Sequence, residues 1–375
     1  MWCKPGMHVE PGADGNLRQM HLLRLMEMKM GLLSQLKQKY KTLSIVGMAK
    51  NAGKTTALNY LIEEAMDEGV VLGITSTGRD GESTDLVTGT DKPRVFLDAG
   101  TIVSVPVKLY ELADAGLEIL SMTNYSTALG QIMICRVAES GYVQIAGPVN
   151  TRDHKKMCEE MLAFGAELIL IDGAIDRKSI AAPDTSDAII LATGAVLSRS
   201  IKKVVEETAH IVGLYQLPVL EDGDAKSLII KNQDKEKIML VKGSRLVVLD
   251  LKTGLAAGKY LDEAIDEETD YIYIPGALTK SVISEIHPSK MKTVEFILKD
   301  PTKIFIEASL WQQLRKKGFT VRVLENIKVA ALTVNPYSPS GYAFEHELLL
   351  REMRNAALGV PVIDVKLGGV FYEVI

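Results

Sequence analysis

Residues 42–56 read TLSIVGMAKNAGKTT, and the fold turns on how that stretch is read. The apolar run LSIVGM predicts a buried strand, and TTALNYLIEEAMDEG beyond it predicts an amphipathic helix. Between them a turn of small residues ends in Gly53, Lys54 and Thr55. A phosphate-binding loop needs these parts in this order. Inward backbone N–H groups and the positive end of a helix hold the anion, the lysine meets its outer phosphates, and the hydroxyl meets magnesium. The bland alternative is a tight strand-to-helix turn. The spacing departs from the usual motif, because five residues separate Gly47 from Gly53, where about four are the rule.

Outward from this stretch, short apolar runs alternate with amphipathic segments, the pattern of a parallel sheet covered by helices. The runs are LSIVGM (43–48), VVLGITS (70–76), TIVSVPV (101–107), YVQIAG (142–147), ELILIDG (167–173) and DAIILATG (187–194). At 217–236 the texture turns polar, from LPVLEDGD to KNQDKEK, which predicts a boundary. Beyond it RLVVLDL, DYIYIPG, KIFIEAS, KVAALTV and VPVIDVK read as strands, and TKSVISEIH, SLWQQLRKKG and HELLLREMRNAAL as helices. The expected architecture is α/β, with an N-terminal extension and helix (1–40), a parallel-sheet phosphate-loop domain (41–220) and a second, smaller α/β domain (221–375).

Composition bounds the rest. The 375 residues are 47% apolar, enough for two buried cores. With 43 basic and 48 acidic residues, the net charge gives no reason to expect nucleic acid as a partner. Cys3, Cys135 and Cys158 are too scattered for a disulfide framework or a zinc cluster, and suit a reducing, cytoplasmic compartment. Arg18, Arg24, Glu27 and Lys29 interrupt the long N-terminal apolar candidate, so neither a membrane helix nor a signal peptide is expected. Residues 1–16 have turn composition, whereas Leu22, Leu25, Met26, Leu32, Leu33 and Leu36 space a helix over 17–40 that packs on the chain behind it or on a partner.

The loop GMAKNAGKTT resembles that of dethiobiotin synthetase and the cobyrinic acid amidating enzymes, members of the SIMIBI class of P-loop proteins. AELILIDGAIDRKSIAAP (166–183) is similar to the segment where that group places an acidic residue and Gly-Ala-Gly after a strand, here Asp172, Gly173 and Ala174. DAIILATGAVLSRSIKKVVEE (187–207) is similar to its next strand, turn and helix. The resemblance spans roughly residues 42–220. The lysine-proline segment with which dethiobiotin synthetase-like enzymes handle substrate is missing from ITSTGRDGE, and no guanine-reading Asn-Lys-x-Asp occurs. ATP with Mg2+ is therefore the expected cofactor pair.

Nucleotide contacts are expected from Gly47, Ala49, Lys50, Asn51, Ala52, Gly53, Lys54, Thr55 and Thr56. Asp172, ending an apolar strand, would hold the magnesium hydration shell or orient water; its alternative is a turn-forming Asp before glycine. Arg79, Asp80 and Glu82 in TSTGRDGESTD (75–85) would sense the terminal phosphate or its metal, as switch segments do, or form a solvated loop. The expected catalytic set is thus Lys54, Asp172 and Asp80, and the expected metal set Thr55, Asp172 and Glu82. Lys50 is one position out of register with the extra lysine of the MinD branch, so a cross-subunit role in a homodimer is a minor expectation. Asp98, Thr193 and Ser198 are weaker candidates. LTVNPYSPSGYAFE (332–345) is the most site-like stretch of the second half, or else a rigid connection.

Taken together, GMAKNAGKTT, TSTGRDGE, LIDGAIDR and LTVNPYSPSGYAF resemble the small-subunit family of the factor that reactivates adenosylcobalamin-dependent lysine 5,6-aminomutase. That resemblance implies an ATP-driven chaperone working with a second, MutS-like ATPase subunit on the aminomutase. Two other classes stay open: an ATP-dependent ligase or amidotransferase of the cobyrinic acid type acting on a small carboxylic acid, and a nucleotide-binding module without turnover.

Overall fold

The computed structural model describes residues 31–77, 94–148, 150–173, 185–233, 236–250 and 257–367. The chain opens with α1 (Leu32–Lys39), β1 (Thr42–Gly47), α2 (Lys54–Glu68) and β2 (Leu72–Ser76). Next come β3 (Val95–Leu97), β4 (Ile102–Pro106), α3 (Val107–Tyr110), the hairpin β5 (Gly116–Thr127) and β6 (Gly130–Glu139), and β7 (Gly141–Val143). Then α4 (Thr151–Ala163), β8 (Leu168–Asp172), β9 (Ala188–Gly194), α5 (Ile201–Tyr215) and α6 (Gly223–Asn232) follow. The next stretch holds β10 (Met239–Lys242), β11 (Arg245–Val248), α7 (Ala257–Ala264), β12 (Tyr271–Ile274), β13 (Leu278–Thr279), α8 (Lys280–Ser284) and α9 (Pro288–Thr293). The last comprises β14 (Glu295–Leu298), β15 (Ile304–Phe305), α10 (Ala308–Lys316), β16 (Thr320–Val323), β17 (Val329–Asn335), α11 (His346–Ala356) and β18 (Val362–Asp364).

Nine strands form one sheet in the order β18-β17-β9-β1-β8-β2-β4-β6-β5. The first seven run parallel; β6 and β5 close one edge antiparallel. The central strands are apolar on both sides because both sides are covered. Leu43 and Ile45 pack with α1 and α2, whereas Val46, Ile189 and Ile171 face clusters built on α4, α5 and α11. Helix α2 seats Leu58 and Leu61, each 1% exposed, on the sheet, a contribution of about 1.5–3 kcal/mol per side chain relative to exposure. It ends at Gly69, whose φ of 65° lets its N–H close on the carbonyls of Ala65 and Met66.

A second sheet of five strands, ordered β11-β10-β12-β14-β16, has its own apolar clusters around Phe296 and around Met239. The expected division at residue 220 does not describe the pairing. β17 and β18 bond onto the nine-stranded sheet through Ile190↔Ala331 and Thr333↔Ile363, so the five-stranded sheet lies within the chain between α5 and β17. An apolar run specifies a buried strand without naming its neighbour, which is why KVAALTV and VPVIDVK were assignable as strands but not to a sheet. YVQIAG also departs from expectation: only its first residues form a strand, β7, in a two-stranded antiparallel sheet with β3. The helix expected over 17–40 is seen as α1; residues 1–30 lie outside the described residues. Among the described residues no helix is long and apolar enough to cross a membrane.

Candidate functional site

Because β1, β2, β8, β9 and β17 are parallel, the residues ending them share one edge of the sheet, where open α/β folds leave a crevice. There stand Gly47, Ser76, Asp172, Gly194 and Asn335. β1 lies between β8 and β9, with Ile45 opposite Asp172 and Gly47 opposite Ala192. Asp172 is also opposite Ser76 of β2. Thus the two sequence-distant segments expected to cooperate, the loop after β1 and the end of β8, are adjacent.

The Met48 N–H still pairs with Ala192 O at 2.9 Å, after which the chain curls, with Ala52 N–H reaching Ala49 O at 3.3 Å. Asn51 has φ of 63°, and Gly53, the N-cap of α2, has φ of 104°. A non-glycine residue with positive φ is uncommon, though Asn tolerates it better than most, and such strain concentrates at functional turns. A Cβ on Gly53 would also come within 3.1 Å of Asn335 Cβ. A Cβ on Gly47 would meet Lys54 Cγ at 3.0 Å, so the bare glycine lets the lysine stem fold back across the end of β1. Lys54 then reaches past its own strand, its Nζ donating to Gly173 O at 2.9 Å.

This placement concentrates positive charge. Lys54 is the first residue of α2, no acidic residue occupies the first turn, and among the described residues no side chain caps it. Of the other expected contacts, Thr55 and Asn51 are exposed and Ala49, Lys50 and Thr56 half-buried, while Ala52 is buried. Asp172 is half-buried; its carbonyl accepts from Thr77 N–H at 3.2 Å, and Gly173 N–H donates to Ile45 O at 3.2 Å, fixing the turn that meets Lys54. Arg79, Asp80 and Glu82 lie outside the described residues.

Three candidates do other work. Asp98 precedes β4, at the opposite edge, where its Oδ1 accepts from Ser140 Oγ at 3.2 Å. The Thr193 hydroxyl, fully buried, is spent on Thr208 Oγ1 at 2.8 Å, tying β9 to α5. Ser198 Oγ accepts the Ser200 N–H at 3.2 Å in a local turn. By contrast, the stretch 332–345 does reach the crevice. Asn335 abuts Gly53 and, through its carbonyl, accepts from Ala195 N–H at 2.8 Å. The Tyr342 hydroxyl donates to Ala195 O, and the Arg199 guanidinium stands 5.2 Å over the Tyr342 ring. Asn335 and Arg199 were missed individually; the one available signal was an Asn-Pro pair directly after a buried strand.

Thiol chemistry is disfavoured among the described residues. Burial pushes the Cys135 thiol up to about 11 and the Cys158 thiol up to about 12, while burial lowers His154 to about 4. Cys158 Sγ and His154 Nδ1 are 3.7 Å apart, yet both shifts keep the pair neutral, the opposite of a thiolate–imidazolium.

No group of three or more His, Cys, Asp or Glu is placed to hold a metal among the described residues. Magnesium does not require one, since it binds through one or two oxygen ligands together with substrate phosphates. The exposed Thr55 hydroxyl and the half-buried Asp172 carboxylate are hard oxygen donors on adjoining segments and fit that demand. Compared with protein-family models, curated proteins and solved structures, the chain matches none of them.

Proposed function

We propose that this chain is a Mg2+-dependent P-loop ATPase, cytoplasmic, whose turnover drives a partner enzyme. The observation that carries the reading is the Lys54 ammonium at the uncapped head of α2, folded across Gly47 to the Asp172–Gly173 turn of the neighbouring strand. In this reading the amides of residues 49–54 cradle the β- and γ-phosphates, and Lys54 exchanges the Gly173 carbonyl for phosphate oxygens. Mg2+, when bound, would be held by Thr55 and Asp172 together with the phosphates and would neutralise phosphate charge. Asp172 orients water toward the terminal phosphorus. The water oxygen forms a bond to that phosphorus as the bridging P–O bond breaks; ADP leaves with that bond's electron pair, and both water protons stay on the phosphate, which then releases one to solvent.

The partner assignment rests on the family resemblance: a reactivating chaperone for an adenosylcobalamin-dependent aminomutase, acting with a second ATPase subunit. For an amidotransferase of the cobyrinic acid type, the two cysteines among the described residues, Cys135 and Cys158, are buried with raised thiol pKa values, which speaks against either as its nucleophile. The test is phosphate release by the purified chain with Mg2+ and ATP, alone and with candidate mutase partners. Slow release that rises with the partner, and is lost in Lys54→Ala and Asp172→Asn, is expected. Release that persists in Lys54→Ala refutes the reading.

A further inference from the structure

At the end of β18, Asp364 is fully buried. Its Oδ1 accepts from Lys366 N–H at 2.9 Å, and its Oδ2 lies 2.7 Å from His346 Nδ1. A carboxylate oxygen accepts, so Nδ1–H is the donor in this pair. Nε2 hydrogen-bonds with the Tyr337 hydroxyl at 3.1 Å, and the two rings meet edge-on at 5.4 Å. The Tyr337 backbone N–H donates to Asn335 Oδ1 at 3.1 Å, and Asn335 Cβ is the group against Gly53. A continuous chain of contacts therefore runs from the last strand of the sheet to the turn before Lys54.

Two features separate this chain from ordinary loop packing. Helix α11 is already capped by Glu345, which accepts from Glu347 N–H at 2.9 Å and Leu348 N–H at 2.6 Å, so His346 is not needed there. Tyr337 remains 49% exposed, so the buried carboxylate and the imidazole gain little apolar burial by holding it.

We propose that Asp364 and His346 are positioning residues for the anion-binding loop, acting through Tyr337 and Asn335 to hold the Gly53 turn in its left-handed conformation. The consequence for nucleotide affinity rests on the function proposed above; the effect on loop order does not. The deciding experiment is hydrogen–deuterium exchange on the full-length protein without nucleotide, comparing Tyr337→Phe and His346→Ala with wild type. Tyr337→Phe removes one exposed hydroxyl and preserves folding even where His346→Ala does not. Faster exchange over residues 48–56, with β1 and β8 unchanged, is expected. Faster exchange confined to 336–347 overturns the proposal, because simple anchoring of that loop predicts it.

Titration with a fluorescent ATP analogue supplies the second readout. Each variant is expected to weaken binding roughly two- to thirty-fold, and combining Tyr337→Phe with Asn335→Ala should do no worse than Asn335→Ala alone. Multiplying effects overturn the coupling. Faster exchange at 48–56 in a protein that binds no nucleotide at all upholds the positioning and defeats the nucleotide reading.

Discussion

Gly53→Ala probes the loop most sharply, and its cost can be worked out from the geometry. An L side chain in a left-handed backbone costs about 1–2 kcal/mol, and Gly53 has φ of 104°. The new Cβ would lie 3.1 Å from Asn335 Cβ, inside the ordinary carbon–carbon separation of about 3.5–4.0 Å, which brings the total to about 2–3 kcal/mol. If the loop keeps its shape, that sum appears as lost stability. If the loop relaxes, stability is spared and nucleotide affinity falls by about 30- to 150-fold. Urea denaturation and nucleotide titration on the same preparation read both, and the two losses together should equal the sum. Adding Asn335→Gly should recover the contact part and leave the backbone part. A Gly53→Ala protein matching wild type in both measurements would refute the loop geometry.

Other predictions concern the scaffold. Glu64 of α2 faces the start of α1, accepting the Leu33 N–H at 3.1 Å with Glu68, Asp67 and Tyr60 nearby. Burial pushes its carboxyl up to about 7 from an ordinary 4.5. The folded state then binds the extra proton, so its stabilising effect is full below about 4.5 and is lost as pH rises through about 7. Stability followed from pH 4.5 to 7 should decline less steeply in Glu64→Gln; an unchanged slope excludes Glu64 as the source. Leu61→Ala, at a position 1% exposed, should cost about 2–5 kcal/mol in chemical denaturation, and a cost under about 1 kcal/mol contradicts the packing of α2. Tyr342→Phe strips the Ala195 carbonyl of its phenol donor and should cost about 1 kcal/mol, with faster exchange near 194–196.

What could be read before the structure was chemistry local to a strand and its turn. LSIVGM, LILID and AIILATG are mostly apolar and buried because helices cover both sides, so strand type was legible. Asp172, ending an apolar run, was read as standing beside the loop strand in a parallel sheet, and β1 does pair with β8, Ile45 opposite Asp172. The order of the sheet was not legible: nothing in KVAALTV says that it pairs with β9 across a chain separation that includes another sheet. Asp98 follows β3, which pairs antiparallel with β7, and so stands before β4 rather than at the crevice edge, a placement that FLDAGT by itself does not show. The Asp364–His346 pair was invisible for a related reason. A buried carboxylate and an imidazole eighteen residues apart become partners only when α11 returns the chain to the sheet.

The central claim is that the loop before Lys54 grips a triphosphate, and calorimetric titration of Mg2+ with a non-hydrolysable ATP analogue tests it without recourse to partner or turnover. The account predicts saturable binding to wild type and, in a folded Lys54→Ala protein, an affinity lower by roughly 10- to 150-fold, the loss expected when a charge-assisted hydrogen bond is removed. Equal binding to both proteins, or no binding to wild type, would contradict it.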